Sequence, residues 1–497
     1  FPKNGTTKWW HLQQILLLVL LLHYKYLFCF QLLLTTTAVS SLSSVNNNNR
    51  AWVIPKGVSF GALDRMKLQN IGGSTTTTVK DDDNNKSMIQ IATRAIGLNF
   101  ADIFTICGYY KAANEARRNN NSNDDGYFCP GLEFSGVVLH DHYDDDDSEA
   151  KKLLFSKGDR VFGFTRFGAY QDVVTTSKHY IRKLPNNWSF EEGASFLVNA
   201  LTAWHGLVTV AGMPNFSDDN ATKEKKELLD QKKTIVLVHS AAGGVGLWAS
   251  ELAARRGGVV VGIVGQEDKK KVFDNRILPI CPHAQCVVRS SSASQFEREL
   301  RQAVVQARHA ASAASSDSSS SSTSVLVPQL FQSSEECVNA GWGIDHIMEC
   351  YGGKYFTPSL NLLNAGGSLA TYGSTTYNGN DNNGSGTSIP LGQLVWKYLT
   401  RPRIDPGMLT TRNIRVGGFN LIFLTERIEE LNAALNGCIA CLGSSSGGEN
   451  NEDIITPAVV GNVFEYDTGA VQALQLLRSG KTVGKVVLSN SNNPNLF

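Results

Sequence analysis

Between Thr234 and Gly246 the chain reads TIVLVHSAAGGVG, and here its residue types could do the most specific chemistry. A short apolar run, Ile235–Val238, stops at His239-Ser240 and enters a glycine turn that opens a helix over Leu247–Arg256. Strand, turn and helix in that order make a phosphate-binding corner. Gly243 lets the backbone approach a pyrophosphate, Gly246 lets the helix pack closely on the sheet, and the free N–H groups of the first helical turn face the anion. Ala241 replaces the first glycine of G-x-G-x-x-G, so the motif rests on its setting more than on its letters. An ordinary strand–turn–helix without a ligand is the bland alternative. A second apolar strand, Val259–Val264, ends at Gly265-Gln266, where a site for an unmodified ribose usually places an acidic residue. Glu267 and Asp268 come slightly late. Lys269-Lys270-Lys271 then offer cations for a 2′-phosphate, or simply begin a solvated helix. Cys438 and Cys441 form a lone CxxC in helical text, and with no second pair at zinc spacing they read as packing.

The elements that must position such a site fall into two kinds of text. From Arg50 to Leu184, short alternating segments with glycine turns predict a mostly antiparallel β domain: Ala51–Ile54, Met88–Ala95, Leu132–Leu139, Arg160–Phe164 and Ala169–Thr175. From Ser189 to Leu442, strands and helices alternate. The strands Val259–Val264, Cys286–Arg289, Ile344–Glu349, Ser368–Tyr372 and Ile414–Val416 are interleaved with the helices Ala293–His309, Phe356–Leu363 and Thr425–Cys441. That rhythm implies a parallel sheet covered on both faces. The tail returns to β text at Ala458–Phe464, passes a helix at Thr468–Ser479 and ends on the strand Lys485–Ser489.

Eight low-complexity tracts punctuate this text: Asn46–Asn49, Gly72–Lys86, Arg117–Asp125, Asp141–Glu149, Asp218–Lys233, Ala310–Ser324, Asn378–Gly386 and Ser444–Asp453. Rich in Asn, Asp, Ser and Gly, they bury too little to offset ordering entropy and read as solvated loops. The 497 residues have length for two or three domains. Their 46 basic and 45 acidic side chains nearly cancel, which argues against a nucleic-acid partner. Nine cysteines are too few for a disulfide scaffold and weakly favour a reducing compartment. The amino terminus stands apart. Lys3 and Lys8 precede the leucine-rich run Leu12–Leu22, a second apolar patch covers Tyr26–Leu34, and a hydroxyl-rich stretch follows. The first run fits a signal core with a cleavage site near Ala38-Val39-Ser40, the two runs together fit an anchor, and a misassigned start is the bland reading. The Asn-X-Ser/Thr sites at Asn187, Asn215 and Asn220 matter only in the secretory pathway.

Read in order, several stretches resemble one family. They are Gly97-Leu98-Asn99-Phe100-Ala101-Asp102, PGLEFSGVV from Pro130, Gly158-Asp159-Arg160-Val161, EGASFLVNALTAW from Glu192, VLVHSAAGGVG, LLNAGGSLATYGS from Leu362 and VGKVVL from Val483. The chain resembles the zinc-free quinone oxidoreductase branch of the medium-chain dehydrogenases/reductases, nearest the vesicle amine transport protein homologues. The resemblance implies an α/β molecule with a GroES-like β domain and a doubly wound Rossmann domain. Its expected bounds are a targeting or anchoring leader at 1–49, otherwise disordered, the first part of the GroES-like domain at 50–197, the Rossmann domain at 198–443 and a return to the first domain at 444–497. NADPH is the implied cofactor, and a quinone or enone the implied acceptor. Asn99-Phe100 and Leu132 stand where zinc-dependent relatives carry metal ligands, so no zinc is expected. Quinones and activated enones need less help from a Lewis acid, because their acceptor carbons are already electrophilic.

The resemblance also assigns residues. Asn99 and Tyr110 fall in the substrate pocket, Asn99 to orient an oxygen and Tyr110 to donate a hydrogen bond. Asn99 is equally well a turn asparagine, and an ordinary phenol is a sluggish acid near neutrality. Asn199 and Thr202 match the nicotinamide or ribose side, with helix packing a live alternative for Thr202. Ala242, Gly243, Gly244, Val245 and Gly246 form the phosphate turn, and Lys269 is the family's phosphate lysine. Tyr372 follows a strand at a cofactor turn, Phe419 and Asn420 close over the nicotinamide, and Lys485 approaches the cofactor phosphate or merely keeps a strand edge soluble. A homodimer through the strand at Ile414–Val416, and membrane association through the leader, complete the expected partners. The leader points to an organelle or endomembrane address, otherwise to the cytoplasm. A membrane-associated NADPH-binding protein with a vesicle- or lipid-linked role and little turnover is the rival function. A cofactor-binding relic with its cleft obstructed near Arg117–Asp125 is a third.

Overall fold

An unbroken apolar strand must be covered on both faces, and two strands of the α/β text meet that condition throughout. Every residue of Ile235–His239 and of Val259–Val264 is buried. They belong to a six-stranded sheet whose order across the sheet is Gln285–Val288, Val259–Val264, Ile235–His239, Ile344–Glu349, Leu363–Thr371 and Arg415–Gly418. All five pairings are parallel. The chain therefore works outward from Ile235–His239 in one direction and then returns to its other side. The reversal leaves a crevice beyond the carboxyl ends of Ile235–His239 and Ile344–Glu349, where open α/β sheets bind ligands.

The computed structural model describes residues 49–55, 63–72, 88–108, 110, 112–115, 127–144, 152–215, 233–313, 331–373, 399–443 and 456–490. Two compact units divide the chain, Phe1–Asn49 with Asn70–Gly73 and Arg50–Gln69 with Ser74–Phe497; the fold and the site lie in the second. Residues 1–48, the tracts at 117–125, 378–386 and 444–453, and the glycosylation site at Asn220 lie outside the described residues.

The second sheet of this unit is mostly antiparallel and runs Ile181–Lys183, Arg160–Phe164, Glu133–Val138, Met88–Gly97, Lys485–Ser489 and Val460–Glu465, with Val173–Ser177 paired to Met88–Gly97. The carboxyl-terminal strand Lys485–Ser489 is fully buried between Met88–Gly97, antiparallel to it, and Val460–Glu465, parallel to it. The α/β layer is thus inserted between parts of one β lobe. Phe162 of the β lobe packs against Phe196, and Phe196 against Trp248 of the α/β lobe, with ring centroids 5.6 and 5.1 Å apart. One apolar core crosses the join.

Two expectations need correction. The strand expected over Ala169–Thr175 runs instead over Val173–Ser177. The preceding residues turn inward after Gly168, which has a φ of 89°, and bury Tyr170 completely. The acidic tract from Asp141 begins as a short strand, His142–Asp144, paired to Lys152–Phe155, and the helix Ala293–Ala313 takes in the first residues of another tract. Backbone pairing outweighs side-chain polarity at such boundaries. Among the described residues one helical stretch, Phe190–Val210, is long and apolar enough to cross a membrane. Its Leu197, Ala200, Leu201 and Leu207 lie in the core.

Candidate functional site

A cleft of about 960 Å³ opens between the two lobes at the crevice of the parallel sheet. Its middle is the glycine turn. The helix Gly244–Arg255 begins there, with Gly243 as an extended residue ahead of it. Gly246 is required by close approach, because a Cβ there would lie 2.2 Å from the Ser240 carbonyl oxygen. Gly243 is less tightly held, since a Cβ there would lie 3.2 Å from the same oxygen. The left-handed residue of the turn is Ser240, with a φ of 53°, one position before Ala241, which stands where the motif's first glycine is missing. The carboxyl-terminal strand is tied to this corner: the Gly484 amide donates to the Ala242 carbonyl at 2.9 Å.

Beside the turn sits a buried polar cluster drawn from four distant segments. The Lys485 ammonium pairs with the Glu133 carboxylate and donates to Asn99 Oδ1 at 2.7 Å and to Asn199 Oδ1 at 3.5 Å. Glu133 also accepts from Asn99 Nδ2 at 2.9 Å and from the Val198 amide at 3.1 Å. A buried ion pair needs its remaining lone pairs satisfied, and here they are. Lys485 therefore serves no solubility role at a strand edge; its side chain is 4% exposed. Asn99 is not a simple turn asparagine either, since its amide enters the cluster while its backbone N–H donates to Asp102 Oδ2 at 2.8 Å. Burial, the largest influence, pushes the Asp102 carboxyl up to about 7 against hydrogen bonds from Asn99 and Tyr170 and the charge of Lys485. Asn199 packs against the turn, so that a Cβ on Gly244 would meet its Nδ2 at 2.6 Å. Thr202 lines the cleft, but its hydroxyl donates to the Val198 carbonyl of its own helix at 2.6 Å.

One end of the cleft is apolar, walled by Phe100, Phe104, Leu132, Phe164, Leu421 and Ile422. Across it the Tyr110 hydroxyl donates to Asn420 Oδ1 at 2.6 Å, joining the lobes. Burial raises the Tyr110 phenol above its ordinary value, which makes it a poorer acid still. Phe419 stands between Tyr372 and His205, with ring centroids 6.0 and 5.0 Å away. The other end is cationic, with Lys269, Arg289, Arg478 and Lys481 on its walls. Lys269 is buried and donates to the Gly480 carbonyl at 2.6 Å, while Lys270 pairs with Asp274.

All the residues expected to bind substrate or cofactor, from Asn99 and Tyr110 through the glycine turn to Lys485, line this one cleft. Sequence reasoning missed Glu133 as a partner, and missed Arg289, Arg478 and Lys481. Only the position of Arg289 at the end of a strand in the βαβ text could have marked it. Cys438 is buried and directs its thiol toward the Ala200 carbonyl at 3.6 Å, a packing environment. Among the described residues no cluster of three His, Cys, Asp or Glu side chains could hold a metal ion.

No protein-family model matches the chain. It is 24% identical over 429 residues to the human synaptic vesicle membrane protein VAT-1 homolog, covering 86% of this chain and 84% of that protein. Over 185 residues, 37% of this chain, it is 29% identical to the reducing polyketide synthase hmp8 of Hypomyces subiculosus, of whose length it spans 6%. Among solved structures, that of mycobacterial Rv1454c complexed with NADPH matches with a TM-score of 0.55 at 22% identity, covering 89% of this chain and 99% of that one. A quinone oxidoreductase of Pseudomonas syringae pv. Tomato DC3000 matches with a TM-score of 0.54 at 16% identity, with the same coverage. The architecture is α/β, a GroES-like β lobe joined to a Rossmann lobe. Similarity to the VAT-1 homologues extends over most of the chain, and the fold matches those of solved quinone oxidoreductases.

Proposed function

We propose that this chain is an NADPH-dependent oxidoreductase that reduces a quinone- or enone-type acceptor without zinc. The observation that carries the reading is the cleft itself, with a glycine turn at its middle, cations at one end and an apolar pocket at the other. The cleft suits a phosphorylated dinucleotide: the first-turn amides of the helix that opens at Gly244 would face its pyrophosphate, and the cationic end would take a further phosphate. Asn199, Tyr372 and Phe419 would hold the remainder. Bound there, the nicotinamide would supply the hydride. Asn99, fixed by Glu133 and Lys485, would orient an acceptor oxygen or a water. Tyr110 would donate a hydrogen bond without giving up its proton. The walls around Phe100 and Phe164 would exclude water. The proposal of zinc independence rests on the donor set: the Glu133 carboxylate already has an ammonium partner in Lys485, and Asn99 and Leu132 are not zinc ligands.

The bounds 50–197, 198–443 and 444–497 for the two lobes, and a homodimer through the sheet edge at Arg415–Gly418, belong to the same proposal; sedimentation would check the dimer. Purified full-length protein should oxidise NADPH in the presence of at least one member of a quinone and enone panel, and should keep that activity after dialysis against a chelator. No oxidation above a protein-free control, over the whole panel, would refute the reading. The vesicle membrane protein among the relatives favours a second one, a membrane-associated nucleotide binder with little turnover. Liposome co-sedimentation by residues 50–497, without detectable turnover, would favour it.

A further inference from the structure

A carbonyl oxygen can only accept hydrogen bonds, so an acceptor of this kind must meet a donor that the protein has not already spent. At the apolar end of the cleft the described side chains offer few. Thr165 and Thr425, beside Phe164 and Ile422, give their hydroxyl hydrogens to the Phe167 and Ile422 carbonyls at 2.9 and 2.6 Å. Tyr110 gives its own to Asn420 Oδ1. Asn99 is spent on the donor side as well. Its Nδ2 donates to the Gly97 carbonyl at 3.3 Å and to Glu133, so through Oδ1 it can hold a water but it has no hydrogen left for a ketone.

Asn420 is different. Its Oδ1 accepts from the Ile422 backbone N–H at 3.3 Å as well as from Tyr110. A backbone N–H can only donate, which settles which end of the amide is oxygen and turns Nδ2 away from both groups. Among the described residues Nδ2 has no hydrogen-bond partner, and Asn420 is an exposed residue of the cleft wall. Its backbone is anchored on either side. The Phe419 amide donates to the Thr371 carbonyl at 3.1 Å, and the Tyr180 hydroxyl of the β lobe donates to the Thr425 carbonyl at 2.7 Å. A fixed amide with two free hydrogens, set among apolar walls, suits an oxygen on which negative charge develops.

We propose that Asn420 is a catalytic residue that holds the acceptor's carbonyl oxygen through Nδ2, and that Tyr110 is a positioning residue which acts through Asn420. This rests on the reading of the cleft as that of a quinone or enone reductase. Hydride from the bound nicotinamide adds to the electrophilic carbon, the displaced π electron pair moves onto the oxygen held by Asn420, and a water supplies the proton.

The test measures turnover of the best acceptor in the panel by full-length wild type, Asn420→Asp, Asn420→Leu, Tyr110→Phe and the double variant of Asn420→Asp with Tyr110→Phe. Asn420→Asp keeps an oxygen for Ile422 and Tyr110 while removing the donors, and Asn420→Leu removes them without adding charge; circular dichroism checks that each is folded. Both Asn420 variants should lose roughly 100-fold or more in kcat/KM, with NADPH affinity by calorimetry within about threefold of wild type. In the Asn420→Asp background Tyr110→Phe should change turnover by less than about twofold, because the residue it positions has already lost its function. Wild type should also bind a saturated cyclic ketone more tightly than the hydrocarbon with a methylene in place of the carbonyl, and Asn420→Leu should abolish that preference. A loss below about tenfold in either Asn420 variant, an undiminished preference for the ketone, losses from Asn420→Asp and Tyr110→Phe that multiply, or NADPH weakened as much as turnover would each overturn the assignment while leaving the reductase reading standing. Wild type that turns over no acceptor would overturn both.

Discussion

Removing the ammonium of Lys485 should be among the most damaging single changes available in this molecule. Glu133 is completely buried and keeps only two neutral donors, the Asn99 amide and the Val198 N–H, once Lys485 becomes Met. Stranding one member of a buried ion pair costs about 3–5 kcal/mol, and those two remaining hydrogen bonds set the expectation near the lower figure, about 3 kcal/mol. Glu133→Gln is milder, since Lys485 keeps Asn99 Oδ1 at 2.7 Å and Asn199 Oδ1 at 3.5 Å as acceptors; about 1–2 kcal/mol is expected. The double variant strands no charge and should lose at least about 1.5 kcal/mol less than the sum of the two single losses. Urea unfolding followed by circular dichroism, with all four proteins at one pH, gives the cycle. Additivity within about 0.5 kcal/mol would show that the two charges do not depend on each other, and would refute the account of the cluster.

Three further outcomes follow from the geometry. Gly246→Ala drives a Cβ to 2.2 Å from backbone and should cost about 2 kcal/mol or more, whereas Gly243→Ala, whose Cβ would lie 3.2 Å from the Ser240 carbonyl oxygen and needs only a small shift, should change stability by less than about 1 kcal/mol; thermal unfolding of the pair checks this. The Asp102 carboxyl is pushed up to about 7 from an ordinary 3.8, so the folded state holds a proton that the unfolded chain releases. Its contribution is present below about pH 4 and is lost as pH rises towards 7, a decline of about 4 kcal/mol at most. Asp102→Asn should flatten that slope in urea titrations, and an unchanged slope would count against the assignment. Tyr110→Phe removes a single hydrogen bond, worth about 1 kcal/mol, and no useful acid; acceptor turnover should fall by no more than about tenfold, and a thousandfold loss would make Tyr110 the proton donor after all.

What could be read from the sequence was what repeats or what crowds. The strand Val259–Val264 was legible to the residue, because a buried parallel strand is an uninterrupted apolar run with glycine or polar punctuation at each end; Ile344–Glu349 was legible to the residue too, although Asp345 and His346 interrupt its apolar text. Gly246 was legible because close approach of a helix to a sheet excludes every side chain. The Glu133–Lys485 pair was not legible, although both residues stood inside recognised stretches. They are 352 positions apart, and nothing in the local spacing of a lone carboxylate and a lone ammonium says that two strands will bring them together. Asp102 was hidden for a related reason. Its neighbours in sequence read as an ordinary helix start, and only the inward turn before Val173, which buries Tyr170 against it at 3.0 Å, removes it from water. Arg289 stood at the end of a short strand beside a serine-rich segment, in the same dress as a solvated arginine. What sets it apart is Tyr351, which approaches it from a different strand's end with a ring centroid 3.8 Å from the guanidinium carbon, and the space left by Gly265. Lys269 and Arg289 thus exchange the prominence that sequence alone assigned: the residue in the conspicuous run already has a carbonyl partner, and the inconspicuous one faces the cleft with donors to spare.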